Sequence, residues 1–322
     1  MALAKDLSHL PSPAKTRDGG CKPDPEPTFL APYLSRLVTL DRAEGERPHA
    51  IEGTRFRHSM SGGCARAIAY HDLGVPESNP MDLAGIVVTR NGTTKHDEIQ
   101  NVLLDGYGEA LSVEVPAQVE GLDGSGSADG LLEPPTERRV CWEHKNVGGF
   151  AFKMAVGERG AAQGPKHAHK VQGALNALAL DAELLVVTYM TWEAISVQAA
   201  ARKGISETGR IAAQWTFERS EWEPLALAER DRVSGILALI DEGTLPARKY
   251  PDPELPAGAV ITDPATGQWR VTDNEGQILD AGSWWACGYC RWQDTCARTP
   301  AGRAPVSTLV EIGALRRLEV VR

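Results

Sequence analysis

One ten-residue stretch decides the fold: Arg138–Val147, which reads RRVCWEHKNV. Its β-branched and aromatic residues and its alternating character predict a β-strand. Residues two apart in a strand point to the same face, so Glu143 and Lys145 share one face while Trp142 and His144 share the other. Unpaired charges are costly to bury. Two explanations follow: a salt bridge on a solvated face, or a site where the glutamate binds a divalent cation and the lysine neutralises charge on a reacting phosphate.

A second acidic strand precedes this stretch. Residues 124–132, GSGSADGLL, indicate a turn that enters a strand carrying Asp129. Asp129 is followed by thirteen residues (130–142) and then by Glu143-x-Lys145, which gives the order D…(D/E)-x-K. An acid followed by E-x-K also arises by chance in many chains. This pattern alone therefore does not decide between the two explanations.

Length and charge restrict the function classes. A chain of 322 residues can bury a full core as one elaborated domain or as two small ones. Its formal net charge of −9 argues against broad electrostatic attraction to nucleic acid. A nucleic-acid enzyme of this charge would need a local basic channel or bound cations. The sequence has no apolar run long enough to span a bilayer and no signal peptide at its start, which predicts a cytoplasmic protein without a membrane partner.

The chain divides into three regions by composition. Residues 1–50 are rich in proline, glycine and charge and are expected to form a flexible arm, residues 51–245 form a core, and residues 246–322 form a C-terminal elaboration. The core is predicted to contain a helix at about 81–104, a meander of strands at about 111–119, 126–133 and 138–147, a loop over 148–170, a helix over 170–180, strands at 184–190 and about 211–219, and a helix at about 221–242.

This order of elements predicts an α/β fold with a mixed sheet flanked by helices. In the C-terminal elaboration, two short alternating runs at 269–272 and 277–279 flank Asp273-Asn274-Glu275-Gly276. Such a pattern is typical of a β-hairpin.

The cysteines supply a more specific signal. An intracellular enzyme is not expected to hold its six cysteines as disulfides. Cys141 lies in the central strand and is interpreted as a small buried apolar residue, and Cys21 as a free thiol of the arm. The other four are candidates for a tetrathiolate site: Cys287, Cys290 and Cys296, spaced Cys-x2-Cys-x5-Cys, with Cys64 as the fourth ligand. Iron–sulfur clusters and zinc both accept four thiolates, and the spacing prefers neither.

Together these motifs form a recognisable order. The isolated Cys64, Gly92-x3-His96, Asp129, Glu143-x-Lys145, a helix with Gln172 and the terminal Cys-x2-Cys-x5-Cys follow one another along the chain. Over about residues 53–298 the chain resembles the RecB-like iron–sulfur nucleases of the PD-(D/E)XK, or restriction-endonuclease-like, class. The resemblance is in particular to the CRISPR-associated Cas-four exonuclease family and its stand-alone phage relatives.

The resemblance implies both a fold and a set of site residues. It implies a PD-(D/E)XK core whose N- and C-terminal parts are joined by a [4Fe–4S] cluster domain, with Cys64, Cys287, Cys290 and Cys296 as ligands. It implies Mg²⁺ or Mn²⁺ on His96, Asp129, Glu143 and the backbone carbonyl of His144, with Lys145 as the catalytic lysine. Gln172 is expected to contact the scissile region or the DNA. The family's Gln-x3-Tyr pattern here ends in Asn176, which cannot stack on a base as tyrosine would.

The implied function is that of a metal-dependent exonuclease that hydrolyses phosphodiester bonds in single-stranded DNA or at DNA ends. A separate helicase, a recombinase or a CRISPR adaptation protein would be its partner, in phage recombination, repair or spacer capture. Two other classes stay open: a catalytically idle DNA-binding or adaptor protein of the same fold, and a restriction-type endonuclease.

Basic and aromatic residues near the predicted site are candidates for contacts with DNA. Lysine and arginine side chains are mostly solvated surface groups, which is the competing interpretation. The candidates are Arg55, Arg57, Arg66, Arg90, Lys95, Lys153, Lys166 and Lys170, with Tyr70, Phe150 and Phe152 as surfaces on which unpaired bases could stack.

Overall fold

A computed structural model describes residues 35–40, 51–133, 138–248, 260–263, 268–272, 278–282, 290–300 and 302–315. Most of the predicted arm, including Cys21, lies outside these residues, and so does Cys287. The described part of the arm is helix α1, residues 35–40, on which Leu37 is buried.

A six-stranded mixed sheet lies at the centre of the described chain. Its strand order is β1-β3-β4-β5-β6, with β2 also paired to β3. β2, β3 and β4 form the predicted antiparallel meander, β4 and β5 are parallel, and β5 and β6 are antiparallel. The strands are β1 (Phe56–Arg57), β2 (Leu111–Ala117), β3 (Gly124–Leu132), β4 (Val140–Asn146), β5 (Leu184–Met190) and β6 (Ala212–Glu218).

Helices flank this sheet, which confirms the predicted fold class at the level of a mixed α/β layer structure. The predicted loop over 148–170 is wrong in part, because it contains a helix that buries Phe152 and Ala155. The helices are α2 (Ala65–Asp72), α3 (Leu83–Tyr107), α4 (Gly149–Ala155), α5 (His167–Ala179), α6 (Val197–Lys203), α7 (Arg219–Asp241), α8 (Gln293–Ala297) and α9 (Ser307–Glu311).

Helix α5 lies close against the centre of the sheet. The contact occurs at Gly173, where an added Cβ would lie 2.8 Å from Leu185 Cδ1 and 3.2 Å from Glu143 Cβ. A side chain at this position would push the helix away from β4 and β5. Gly173 therefore places the polar face of α5 directly over Glu143.

Helix α7 covers α5 and completes the core on that side. It starts with a capping box, in which the Glu218 and Glu221 side chains each accept a backbone N–H of the first turn. Its buried face carries Trp222, Val233 and Ile236. Burial of each such side chain stabilises the fold by about 1.5–3 kcal/mol.

The described residues at the C-terminal end pack on α2. The guanidinium of Arg66 is fully buried and donates to Pro246 O at 2.5 Å, Thr299 Oγ1 at 2.9 Å and Gly302 O at 2.7 Å. The indole N–H of Trp292 donates to Val75 O at 2.7 Å. These contacts join the start of the core to the segment that carries Cys290 and Cys296.

The predicted hairpin is confirmed. Strands β9 (Gln268–Thr272) and β10 (Ile278–Gly282) are antiparallel, and β8 (Val260–Asp263) adds a third strand to them. Two short strands, β7 (Thr244–Leu245) and β11 (Ala304–Pro305), form a separate antiparallel pair. Among the described helices, none combines the length and the apolar character needed to cross a membrane.

Candidate functional site

The site forms where strands β3 and β4 separate. Their ladder runs from Leu132–Val140 to Gly130–Trp142, and beyond this point the Asp129 carboxylate takes the place of a backbone partner. The backbone N–H of His144 donates to Asp129 Oδ2 at 2.6 Å. A backbone donor on a buried carboxylate fixes its orientation and stabilises its charge. The second oxygen, Oδ1, remains available for other contacts.

Three possible metal ligands meet at this oxygen. His96 Nε2 on α3 lies 3.2 Å from Asp129 Oδ1, and His96 Nδ1 lies 3.6 Å from Glu114 Oε1 on β2. One ligand atom from each of the three residues lies within 4.8 Å of the others. Two carboxylates and an imidazole form a donor set suited to Mg²⁺ or Mn²⁺, the imidazole favouring the latter.

Glu114 is the member of this group that the sequence analysis missed. Val113 pairs with Gly130 and Val115 with Ala128, so Glu114 lies opposite Asp129 in the antiparallel register. Its backbone has φ = 50°, in the left-handed region that costs a non-glycine residue about 1–2 kcal/mol. The Gln100 amide donates to Glu114 Oε1 at 2.9 Å and the Ser127 hydroxyl to Oε2 at 3.0 Å. Both carboxylate oxygens are thus oriented by neutral donors.

Glu143 and Lys145 share a face, as the strand period predicts. Glu143 is fully buried, and the Lys145 ammonium lies 2.5 Å from its Oε1, an ionic contact outside hydrogen-bond angles. Burial raises the pKa of Glu143 to about 7, against the opposing effect of Lys145. Burial opposes the charge of Lys145, but Glu143 and Asp129 together raise its pKa. Lys145 therefore stays cationic, while the neighbouring carboxyl group of Glu143 gains or loses its proton near pH 7.

Neighbouring groups also stabilise the negative charge of Asp129. Burial alone would raise its pKa, but the hydrogen bond from His96 and the charge of Lys145 hold it below the ordinary value. The pKa of His96 is raised, because the contacts with Asp129 outweigh the effect of burial. His96 and Asp129 therefore each favour the charged form of the other.

His144 contributes its backbone to the site, while its ring belongs to the opposite face. The ring stacks on His96 at 5.9 Å, packs at 5.6 Å from Trp142, and its Nδ1 lies 2.9 Å from the Thr188 hydroxyl. Burial lowers the pKa of His144 to about 4, so its imidazole is neutral near neutral pH. The ring thereby supports His96 from behind.

These groups open into a cleft of about 880 Å³ between α3, β2 and β3. Lys145 and Gln172 reach its wall, so the predicted catalytic glutamine lies in the same cleft as the acids. Asn176, four residues later on α5, does not line it and is fully buried. Its amide nitrogen lies 3.3 Å from Glu143 Oε2. The position that carries tyrosine in the resembled family therefore contacts Glu143 here.

Three of the four predicted cluster cysteines come together. Cys64 occupies the N-cap position of α2, and it influences the pKa of both Cys290 and Cys296, all three thiols being partly buried. Burial, and then the neighbouring thiols, raise the pKa of Cys290. Cys141 is fully buried in β4, as expected of an apolar residue. Cys287 lies outside the described residues.

The predicted track of basic and aromatic residues needs correction. Arg66, Tyr70 and Phe152 are fully buried and cannot contact DNA. Arg66 and Tyr70 both contact Thr299 in the C-terminal segment, and Phe152 lies in the core on α4. Arg55 is held by Asp72 at 2.7 Å. Arg57 lines the cleft and Phe150 is 64% exposed, which leaves both as candidate contacts.

Comparison with known proteins gives weak likenesses only. No protein-family model and no curated protein matches the chain. Among solved structures, the crystal structure of SSO0001 is 14% identical with a TM-score of 0.38, over 66% of this chain and 86% of the other. LHK-Exo in complex with dAMP is 12% identical with a TM-score of 0.40, and the match covers 58% of this chain and 88% of the other. The alkaline exonuclease LHK-Exo from Laribacter hongkongensis is 11% identical with a TM-score of 0.34, and the match covers 48% of this chain and 69% of the other.

Proposed function

We propose that this protein is a Mg²⁺- or Mn²⁺-dependent DNA exonuclease that hydrolyses phosphodiester bonds in single-stranded DNA or at DNA ends. The observation that carries the proposal is one cleft in which His96, Glu114 and Asp129 adjoin the Glu143–Lys145 pair. Hydrolysis of a phosphodiester needs an activated water and a positive group on the phosphate oxygens. A bound divalent ion supplies both.

The donor set fits such an ion. His96, Asp129 and Glu114 would hold it on the cleft side, and Glu143 and the His144 carbonyl would complete the set that the family resemblance implies. The His144 N–H and the Gln100 amide orient the Asp129 and Glu114 carboxylates from behind. Such supporting hydrogen bonds are typical of metal sites and fix the ligands in place.

The chain's own residues have separate roles in the reaction. The Lys145 ammonium, held by Glu143, donates hydrogen bonds to the attacking water or to the phosphate oxygens. The pKa of Glu143, raised to about 7 by burial, allows this carboxylate to take up a proton near neutral pH. Gln172 lines the same cleft and orients the substrate through its amide. Arg57 at the cleft wall is the nearest candidate contact for a neighbouring phosphate.

A structural [4Fe–4S] cluster on Cys64, Cys287, Cys290 and Cys296 is the second part of the proposal. The fully buried Arg66 supports it, because its hydrogen-bond partners in the described chain are neutral carbonyl and hydroxyl oxygens. An unpaired buried charge is costly. Burial raises the pKa of Cys296, and the charges of Arg248 and then Arg66 oppose that rise, so cations face this thiol. A set of thiolates holding iron would supply the missing negative charge, and the protein would then resemble the Cas-four-like nucleases.

The test is a cleavage assay on labelled linear single-stranded, linear double-stranded and circular DNA across a Mn²⁺ titration. We expect cleavage of the linear substrates, none in a chelator, and loss of at least about a hundredfold of the rate in Lys145→Ala. The matched control is Lys203→Ala, an exposed lysine in the last turn of α6 that does not line the cleft.

Each alternative predicts another pattern. DNA binding without cleavage at any Mn²⁺ concentration would indicate an adaptor protein. Site-specific cutting of the circular substrate would indicate a restriction-type endonuclease. Wild-type rates in Lys145→Ala would remove β4 from the proposed active site.

A further inference from the structure

A buried polar chain connects the start of the fold to the candidate active site. It consists of His58 in the turn after β1, Asn176 on α5 and Glu143 on β4, and all three side chains are fully buried. His58 Nδ1 lies 2.8 Å from Asn176 Oδ1, and Asn176 Nδ2 lies 3.3 Å from Glu143 Oε2. Buried polar groups in such a chain are costly unless each has a partner, so their arrangement is specified by the fold.

The orientation of the Asn176 amide follows from its neighbours. Its Nδ2 also donates to the carbonyl oxygen of Ser127 at 3.2 Å, and a carbonyl can only accept. A flipped amide would direct its oxygen at two acceptors, Ser127 O and Glu143 Oε2. The amide nitrogen therefore faces Glu143, and the amide oxygen faces His58.

This orientation defines the tautomer of His58. Asn176 Oδ1 is an acceptor, so His58 Nδ1 must carry the proton. Burial lowers the pKa of His58 to about 4, which keeps the ring neutral. His58 Nε2 is then an acceptor, and it has no hydrogen-bond partner within the described residues. Among the described residues, the hydrogen bond of the His58 ring is therefore the one from Nδ1 to Asn176 Oδ1.

Strand β3 packs tightly against the pair at Gly126. At Gly126 on β3, an added Cβ would lie 2.5 Å from His58 Nδ1 and 2.6 Å from Asn176 Oδ1. No L side chain fits there without displacing the pair. A tyrosine at position 176 would need the volume that His58 and Gly126 border, so the family residue cannot occupy this position without rearrangement.

We propose that His58 and Asn176 form a positioning pair that fixes the Glu143 carboxylate for the proposed phosphodiester hydrolysis, on which this inference rests. His58 holds the Asn176 amide, the amide holds Glu143 Oε2, and Oε1 is left to Lys145. The residue that replaces the family's tyrosine thereby acts on the catalytic glutamate from inside the core instead of contacting a base. Neither member of the pair touches the substrate.

The first measurement does not depend on catalysis. The carboxyl ¹³C resonance of Glu143, assigned through Glu143→Gln, is compared at fixed pH in wild type, Asn176→Leu, His58→Phe and the control Thr191→Val. Thr191 is buried, and its hydroxyl accepts a hydrogen bond from the Glu193 N–H. It lies four residues after Val187, the residue of β5 that pairs with Glu143. We expect the resonance to move in the first two variants and to stay in Thr191→Val. An unmoved resonance in folded Asn176→Leu would overturn the inference, whether or not the protein cleaves DNA.

The second measurement separates positioning from substrate binding. In Asn176→Leu and His58→Phe, kcat should fall about 10- to 100-fold while KM for DNA changes less than about threefold, because an orienting residue has been removed and no DNA contact has. Asn176→Tyr should be impaired as well. Wild-type kcat in Asn176→Leu, or full activity in Asn176→Tyr, would contradict the pair. An inactive wild type would refute the proposed function alone, and the ¹³C result would still decide whether the pair acts on Glu143.

Discussion

Removing Lys145 should destabilise the protein in a pH-dependent way. Glu143 is fully buried while the Lys145 side chain is 25% exposed, so Lys145→Ala leaves a carboxylate in the core without its cation. Breaking a buried pair by removing one partner costs about 3–5 kcal/mol. We expect this loss at about pH 8.5, where Glu143 is ionised, and a much smaller loss at about pH 5.5, where the carboxyl has taken up a proton.

The direction in which stability changes with pH follows from the direction of the pKa shift of Glu143. Burial already raises the pKa of Glu143 from 4.5 to about 7 with Lys145 present, and removing the cation raises it further. A raised carboxyl pKa contributes stability that is complete below the unfolded value and is lost as pH rises through the folded value. A rise of 2.5 pKa units corresponds to about 3 kcal/mol in wild type, and the variant adds to it.

The assay is urea unfolding in a chelator, followed by fluorescence of the eight tryptophans. Lys203→Ala is the control, and the double variant Lys145→Ala with Glu143→Gln should lose the extra pH dependence, because no ionisable group is left at the pair. Equal destabilisation of Lys145→Ala at both pH values would mean that Lys145 does not compensate a buried charge.

Three further predictions test other parts of the site. Cys64→Ala should lose iron, visible absorbance and thermal stability in anaerobically purified protein, whereas Cys141→Ser should keep the absorbance; the reverse result would reassign the cluster ligands. Asp129→Asn keeps its shape but loses charge, so calorimetry should show Mn²⁺ affinity reduced at least about tenfold, and unchanged affinity would exclude Asp129 as a ligand. Burial and neighbouring lysines lower the pKa of His169 to about 3, so stability should fall as pH drops from about 6.5 towards 3, and His169→Gln should flatten this acid slope in thermal melts.

What the sequence predicted well depends on local periodicity. The two-residue period of β4 places Glu143 and Lys145 on one face, and the contact between them agrees with that period. The meander and the hairpin follow from runs of residues and the turns between them. Residues close together in the sequence determine these features, which is why the sequence alone predicts them.

What the sequence did not predict depends on pairing between distant elements. Glu114 joins the site because the β2–β3 register sets it opposite Asp129, and an isolated glutamate in an alternating strand carries no sign of that. The meander prediction could have found it, had the register been derived from the turn at residues 118–123. His58 and Asn176 meet across 118 residues of chain, which no local pattern reveals. The sequence analysis counts Arg66 among surface groups because guanidinium groups are rarely buried, whereas the backbone carbonyls that it contacts lie 180 to 236 residues away.

Under the proposed function, the charges of the cleft bear on how an acidic protein would act on a polyanion. The cleft wall carries the acids Asp97, Glu114 and Asp129 against the cations Arg57 and Lys145, and the whole chain has a net charge of −9. Where His96 is neutral, carboxylates outnumber cations in this cleft, and such a surface repels phosphate. Under the proposed function, a divalent ion held by Glu114 and Asp129 would reverse that balance. The same carboxylates would then repel DNA unless the ion is bound, so substrate binding would depend on the metal that hydrolysis needs.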